Sequence, residues 1–115
     1  MSRYLQGDVV LCHFPYSEKD GEKRRPALIY DVIGEDYYTL MFTTKDKRGK
    51  CAGIWIEKNS IENKSLRLSE NSFLNITHDF VVLRKEDIIK LIGICPKSLL
   101  SQIEKICREN DIELP

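Results

Sequence analysis

Short apolar runs separated by polar turns fill most of this chain, and only near its end does the spacing become that of a helix. Val9 to Phe14 is a β-rich run, followed by a polar loop, residues 15–23, with a turn signal at Asp20-Gly21. Ala27 to Ile33 is apolar almost throughout, as a central strand would be. Gly34-Glu35-Asp36 turns the chain into a third strand, Tyr37 to Thr44, rich in aromatic and β-branched residues. Ile54-Trp55-Ile56 makes a short fourth strand, residues 58–71 read as polar loop, and Phe73–Ile76 and Phe80–Leu83 add two more strands around Thr77-His78-Asp79. From Lys85 the period shifts. Ile88, Ile89, Leu91 and Ile92 fit a short helical turn ending at Gly93, and a helix follows from about Pro96 to Glu109. Leu99, Leu100, Ile103, Ile106 and Cys107 fall on one face of it and predict docking on the sheet. The pattern predicts a mainly β fold, a small, strongly bent antiparallel barrel with a C-terminal helix packed on it.

With 115 residues the chain is expected to be a single domain. Its 42% hydrophobic and 31% charged residues disfavour disorder, and no apolar run is long enough to cross a bilayer. The N-terminus lacks the apolar stretch of a secretory signal, so a cytoplasmic location is expected. Cysteines 12, 51, 95 and 107 are dispersed, form no CxxC pair, and are expected to be reduced thiols rather than disulfides or zinc ligands. Cys12-His13 suggests a nucleophile and base, but strand neighbours point to opposite faces and do not meet.

Eighteen basic and eighteen acidic residues cancel, so the whole molecule exerts no strong pull on nucleic acid. Local clusters matter more. Lys19, Lys23, Arg24 and Arg25 form one, and Lys45-Asp46-Lys47-Arg48-Gly49-Lys50 is nearly all basic. Taken alone each reads as a solvated loop. Arg24-Arg25-Pro26 adds direction: Pro26 belongs at a strand start, and the residue before it is pushed toward extended geometry. Arg25 therefore stands at a loop-strand boundary, where a guanidinium can serve anion binding or chemistry.

The opening Gly7-Asp8-Val9-Val10, the polar loop, Arg24-Arg25-Pro26-Ala27-Leu28-Ile29, the strand ending Thr43-Thr44, and the late Asp87-Ile88-Ile89-Lys90-Leu91-Ile92-Gly93 resemble the MazF/PemK family of toxin endoribonucleases. The resemblance runs in order along nearly the whole chain and is most specific from Gly7 to Ile29. It implies an SH3-like barrel of the CcdB/PemK type, a homodimer in a toxin-antitoxin system, that cuts single-stranded RNA without a metal or other cofactor and is neutralised by a cognate antitoxin. The family's catalytic arginine and threonine map onto Arg25 and Thr44, with Thr43 the neighbouring register. In such cleavage a ribose 2′-hydroxyl attacks the adjacent phosphate, and charge accumulates on the phosphoryl oxygens. A planar guanidinium donates two parallel hydrogen bonds to that charge. The family's late Arg-Thr pair is missing near Asn75-Ile76-Thr77-His78, where His78 is the candidate acid or base. Arg24, Thr43, Lys45, Lys47 and Arg48 are the candidate backbone contacts, and Tyr16 the candidate base-stacking residue. Trp55 is expected to pack against the sheet or at a subunit contact.

Each of these residues also has a plain reading. Arg25 as a surface partner of Glu22 would contribute about 1 kcal/mol or less, and Thr44 is an ordinary strand residue. A different function class is a non-catalytic barrel that binds a protein, as CcdB-like gyrase poisons do. That reading would want an aromatic C-terminus, whereas this chain ends in the acidic stretch Arg108–Pro115.

Overall fold

The computed structural model describes residues 3–13, 24–77 and 80–115. Its elements run β1 (Asp8–His13), β2 (Arg24–Ile33), β3 (Asp36–Thr43), β4 (Gly53–Ile56), α1 (Ile61–Leu66), β5 (Ser72–Asn75), β6 (Val81–Leu83), a 3₁₀ turn (Lys85–Asp87), β7 (Ile88–Ile94) and α2 (Lys97–Glu109). The strands form one antiparallel sheet in the order β4-β5-β3-β2-β1-β7, with β6 also paired to β3. The expected bent antiparallel sheet with a C-terminal helix is therefore present, with strand ends moved by a residue or two.

β3 changes partners along its length. Its residues Asp36 to Met41 pair with β2 and Tyr37 to Thr39 with β6, whereas Phe42 and Thr43 pair with Leu74 and Phe73 of β5. The sheet bends there, and each face acquires its own core. On one face Val9, Leu28, Tyr30, Leu40 and Phe42 meet Leu99, Ile103 and Cys107 of α2. On the other, Val10, Cys12, Ala27, Ile29, Met41 and Leu83 pack together. Both faces of β2 are thus covered, which is why it reads as a continuous apolar run. Each fully buried aliphatic side chain, such as Ile103 at 0% exposure, contributes about 1.5–3 kcal/mol.

Two expectations are corrected. The helical turn expected over Ile88–Ile92 is strand β7, antiparallel to β1 through Val10↔Leu91 and Cys12↔Ile88. Irregularities between Val9 and Val10 and between Leu11 and Cys12 break the ladder, so β7 lacks clean alternation and its apolar spacing imitates a helix. The one helical turn nearby is the 3₁₀ turn Lys85–Asp87 just before it. Second, residues 58–71 are not all loop, because α1 lies within them. Ser60 caps α1 by accepting from the Asn63 N–H at 3.3 Å, and Arg67 closes it in the left-handed region at φ 62°. Buried Asn63 then staples the segment. Its Nδ2 donates to the Lys58 and Leu68 carbonyls at 2.8 and 2.9 Å, and its Oδ1 accepts from the Leu68 N–H at 2.8 Å. Six mostly polar residues carry no hydrophobic period, and besides the staple and the caps one fully buried side chain, Leu66, anchors the helix.

α1 leans on β7 where Gly93 leaves no room for a side chain, with the Ser65 and Leu66 carbonyls occupying the place of a Cβ. Ser65 Oγ donates to the Ile94 carbonyl beside it. Replacing Gly93 with alanine should therefore lower stability by about 1–3 kcal/mol, and an unchanged urea midpoint would refute this packing.

All four cysteines are free, with Cys12, Cys95 and Cys107 buried and Cys51 exposed. Burial raises the Cys95 thiol to about 12. Brief treatment of native protein with iodoacetamide should label Cys51 alone, and unfolded protein all four, as read by intact mass. Equal labelling of Cys12 in the native state would contradict the observed core.

Candidate functional site

Arg25 is the second residue of β2, set opposite Cys12 of β1, with Arg24 opposite His13. The buried Cys12 thiol lies 3.3 Å from the Arg25 carbonyl and donates to it, tying the arginine's backbone to the core. Burial first, then the charge of Asp87, raises this thiol to about 11, while nearby Arg25 works in the opposite direction. Near neutral pH Cys12 is thus a protonated anchor rather than a thiolate nucleophile. His13, on the other side of the strand, does not face it.

The half-buried Arg25 side chain lines a recess of about 180 Å³ together with Thr39, Leu40 and Met41 of β3, Asn75 at the end of β5, Thr77 and Val81. That volume is below the roughly 300–1,000 Å³ of pockets that engulf a whole small ligand. It suits one group of a larger ligand. Thr39 is fully buried and donates its hydroxyl to the Val81 carbonyl at 2.7 Å, so toward the recess it offers acceptor capacity. Asn75 contributes an amide and Thr77 a hydroxyl. Guanidinium, amide and hydroxyl groups around a small concavity make a set able to hold an oxyanion.

Sequence reasoning pointed to Arg25 but passed over Thr39, Asn75 and Thr77. Thr39 reads as one more β-branched strand residue, and only the β3–β6 pairing turns it toward Val81. Asn75 and Thr77 stand in the segment where the resemblance expected an Arg-Thr pair, which was the available signal.

Thr43 and Thr44 do not line the recess. The β2–β3 register, which sets Ala27 opposite Met41, would bring Thr43 opposite Arg25 if it continued. Instead β3 has turned to β5, and Thr43 Oγ1 accepts from the Lys45 N–H at 3.3 Å. Thr44 is exposed one residue beyond the strand. His78 and Tyr16 lie outside the described residues.

The basic loop after β3 is only partly available to a ligand. Asp46 grips Arg48 through Nε at 3.0 Å and through a terminal nitrogen at 2.6 Å, and the guanidinium lies 5.0 Å from the centre of the Trp55 ring. The hydrogen bond from Arg48 holds the Asp46 carboxyl below its ordinary value. Lys45 is exposed and Lys47 half-buried. Trp55, opposite Phe73 in the β4–β5 ladder, packs on the sheet and carries this loop.

No family model and no curated protein matches the sequence. Among solved structures, the chain is similar to an endoribonuclease in complex with its cognate antitoxin from Mycobacterial species, at a TM-score of 0.65 and 15% identity, with 100% of both chains covered. The two proteins share a fold over their full lengths.

Proposed function

We propose that this chain is the toxin of a toxin-antitoxin system, a cytoplasmic endoribonuclease of the MazF/PemK type that cleaves single-stranded RNA by 2′-hydroxyl transesterification without a metal. The observation that carries this reading is the convergence of Arg25, Thr39, Asn75 and Thr77 on one small recess, in a fold shared with an endoribonuclease.

In this reading a single phosphodiester occupies the recess. Arg25 neutralises the phosphoryl oxygens as negative charge grows in the transition state, and the Asn75 amide adds a neutral donor. His78, which follows Thr77 in the chain, is assigned the proton transfer between the 2′-hydroxyl and the leaving 5′-oxygen. Thr44 and Thr43 stand at the mouth of the basic loop and hold the flanking ribose. Arg24, Lys45, Lys47 and Arg48 hold the neighbouring phosphates, and Tyr16 stacks on an unpaired base.

Two protein partners belong to the same proposal. One is a cognate antitoxin, because the solved neighbour was captured with its own. The other is a second copy of this chain. Strand β7 ends the sheet order with β1 as its strand partner among the described residues, and its Ile89, Leu91 and Ile94 remain exposed. An edge with apolar side chains, covered by α1 only at its Gly93–Ile94 end, is suited to pairing with its own symmetry mate.

Purified protein incubated with long single-stranded RNA in excess EDTA should leave fragments ending in 2′,3′-cyclic phosphate. Arg25→Ala should slow this by about 10²–10³-fold, and Arg25→Lys should not restore it, because an ammonium lacks the planar fork. Intact RNA with the wild type, or equal cleavage by Arg25→Ala, would defeat the nuclease reading and leave protein binding in its place. For the dimer, Leu91→Glu should halve the mass measured by sedimentation. A wild type that already sediments as a monomer would remove that partner.

A further inference from the structure

A second concavity of about 480 Å³ opens where the β2–β3 turn, the segment before β1 and the turn after β6 meet. Its size falls within the range of sites that enclose a nucleotide-sized ligand. Tyr4 and Tyr37 line it, with ring centroids 6.0 Å apart in an edge-to-face arrangement. Arg3, Arg84 and Lys85 bring three cations from two separate segments. Asp36 fixes the Arg84 guanidinium through Nε at 2.8 Å, and a guanidinium held at that nitrogen still has donors to give. Glu35 and Glu86 complete the lining.

This cleft and the Arg25 recess open along the same two strands, β3 and β6. Tyr37 and Thr39 lie on the same face of β3, about 7 Å apart, the first lining the cleft and the second the recess. β6 bridges them in the same way, with Val81 at the recess and its last residue, Leu83, directly before Arg84 at the cleft. We infer that the cleft bounded by Tyr4, Tyr37, Arg84 and Lys85 is a second RNA subsite that takes one unpaired nucleotide next to the phosphate held by Arg25, an inference that rests on the RNA-cleaving reading of that recess.

The chemistry selects a nucleotide over the other extended polymer that a cationic groove attracts, an acidic peptide. A base packs against tyrosine whatever its identity, and its phosphate answers Arg3 and Lys85. Glu35 and Glu86 only accept hydrogen bonds when ionised, so they suit exocyclic amino groups, whereas uracil offers a single N3–H set between two carbonyl oxygens, and they repel carboxylates. The subsite therefore contributes to which RNA sequences are cut, favouring an amino-bearing base over uracil at that position.

The test is a titration of ¹⁵N-labelled protein with a 2′-O-methyl oligonucleotide of about ten residues, which binds without being cleaved. Amide signals of Gly34 to Tyr37 and Arg84 to Glu86 should move together with those of Arg25, Thr39 and Thr77. Lys85→Ala, at an exposed position, should weaken binding about tenfold and abolish the shifts in the cleft, and an all-uracil oligonucleotide should bind less tightly. Shifts confined to the recess would overturn the subsite and leave the nuclease reading standing. Shifts confined to the cleft would count against Arg25 as the RNA site and overturn the subsite as the neighbour of that phosphate. Silence at both would overturn both, and cleft shifts produced by an acidic peptide but not by the oligonucleotide would assign the groove to a protein.

Discussion

The change of partners along β3 is the constraint on which the rest depends. A strand hydrogen-bonded to β2 and β6 in its first part and to β5 at its end cannot stay flat, and the resulting bend divides the apolar residues into two cores on opposite faces. α2 closes one of them. The other is roofed by β6 and the segment before β1, and the concavities that carry charged groups open at its margins.

That geometry explains how an arginine comes to be poised over a mostly apolar surface. The guanidinium of Arg25 is carried by a strand whose next residues are buried on both faces, and a core thiol holds its carbonyl. Precision is supplied by the ladder rather than by a loop. The nearby basic loop shows the opposite design, since Arg48 already has an anion, Asp46, and an aromatic face, Trp55. Such an exposed pair is weak in water, so a phosphate can compete for it. A loop held this way keeps its shape before ligand arrives.

A shared fold at 15% identity says how the chain is arranged, and fold alone does not fix chemistry. What narrows the reading is the recess. Under the proposed reading, a guanidinium, an amide and the Thr77 hydroxyl around a space the size of one functional group suit the charge that phosphoryl transfer develops. In the same proposed reading, the cleft beside it takes the neighbouring nucleotide.

Much of the fold was legible in the chain because a strand buried on both faces is a continuous apolar run, and α2 repeats its apolar positions at helical spacing. Runs such as Ala27–Ile33 and the face Leu99–Ile103–Cys107 announced themselves in this way. β7 did not, because a strand with ladder irregularities and an exposed edge loses its period. α1 did not either, because its six residues bury only Leu66 and Asn63, too few to show a period. Arg25 was legible because proline fixes local geometry, which is a property of neighbours in sequence. Thr39, Asn75 and Thr77 were not, since their residue types are ordinary and their meeting depends on strands distant in sequence pairing through β3. The sequence by itself determined the periods, the strand start at Arg25-Pro26 and the amphipathic last helix, all set by local sterics and by which residues avoid water. Only the tertiary structure decided which polar groups face Arg25, because that choice is made by register between strands, and register is set by the whole sheet.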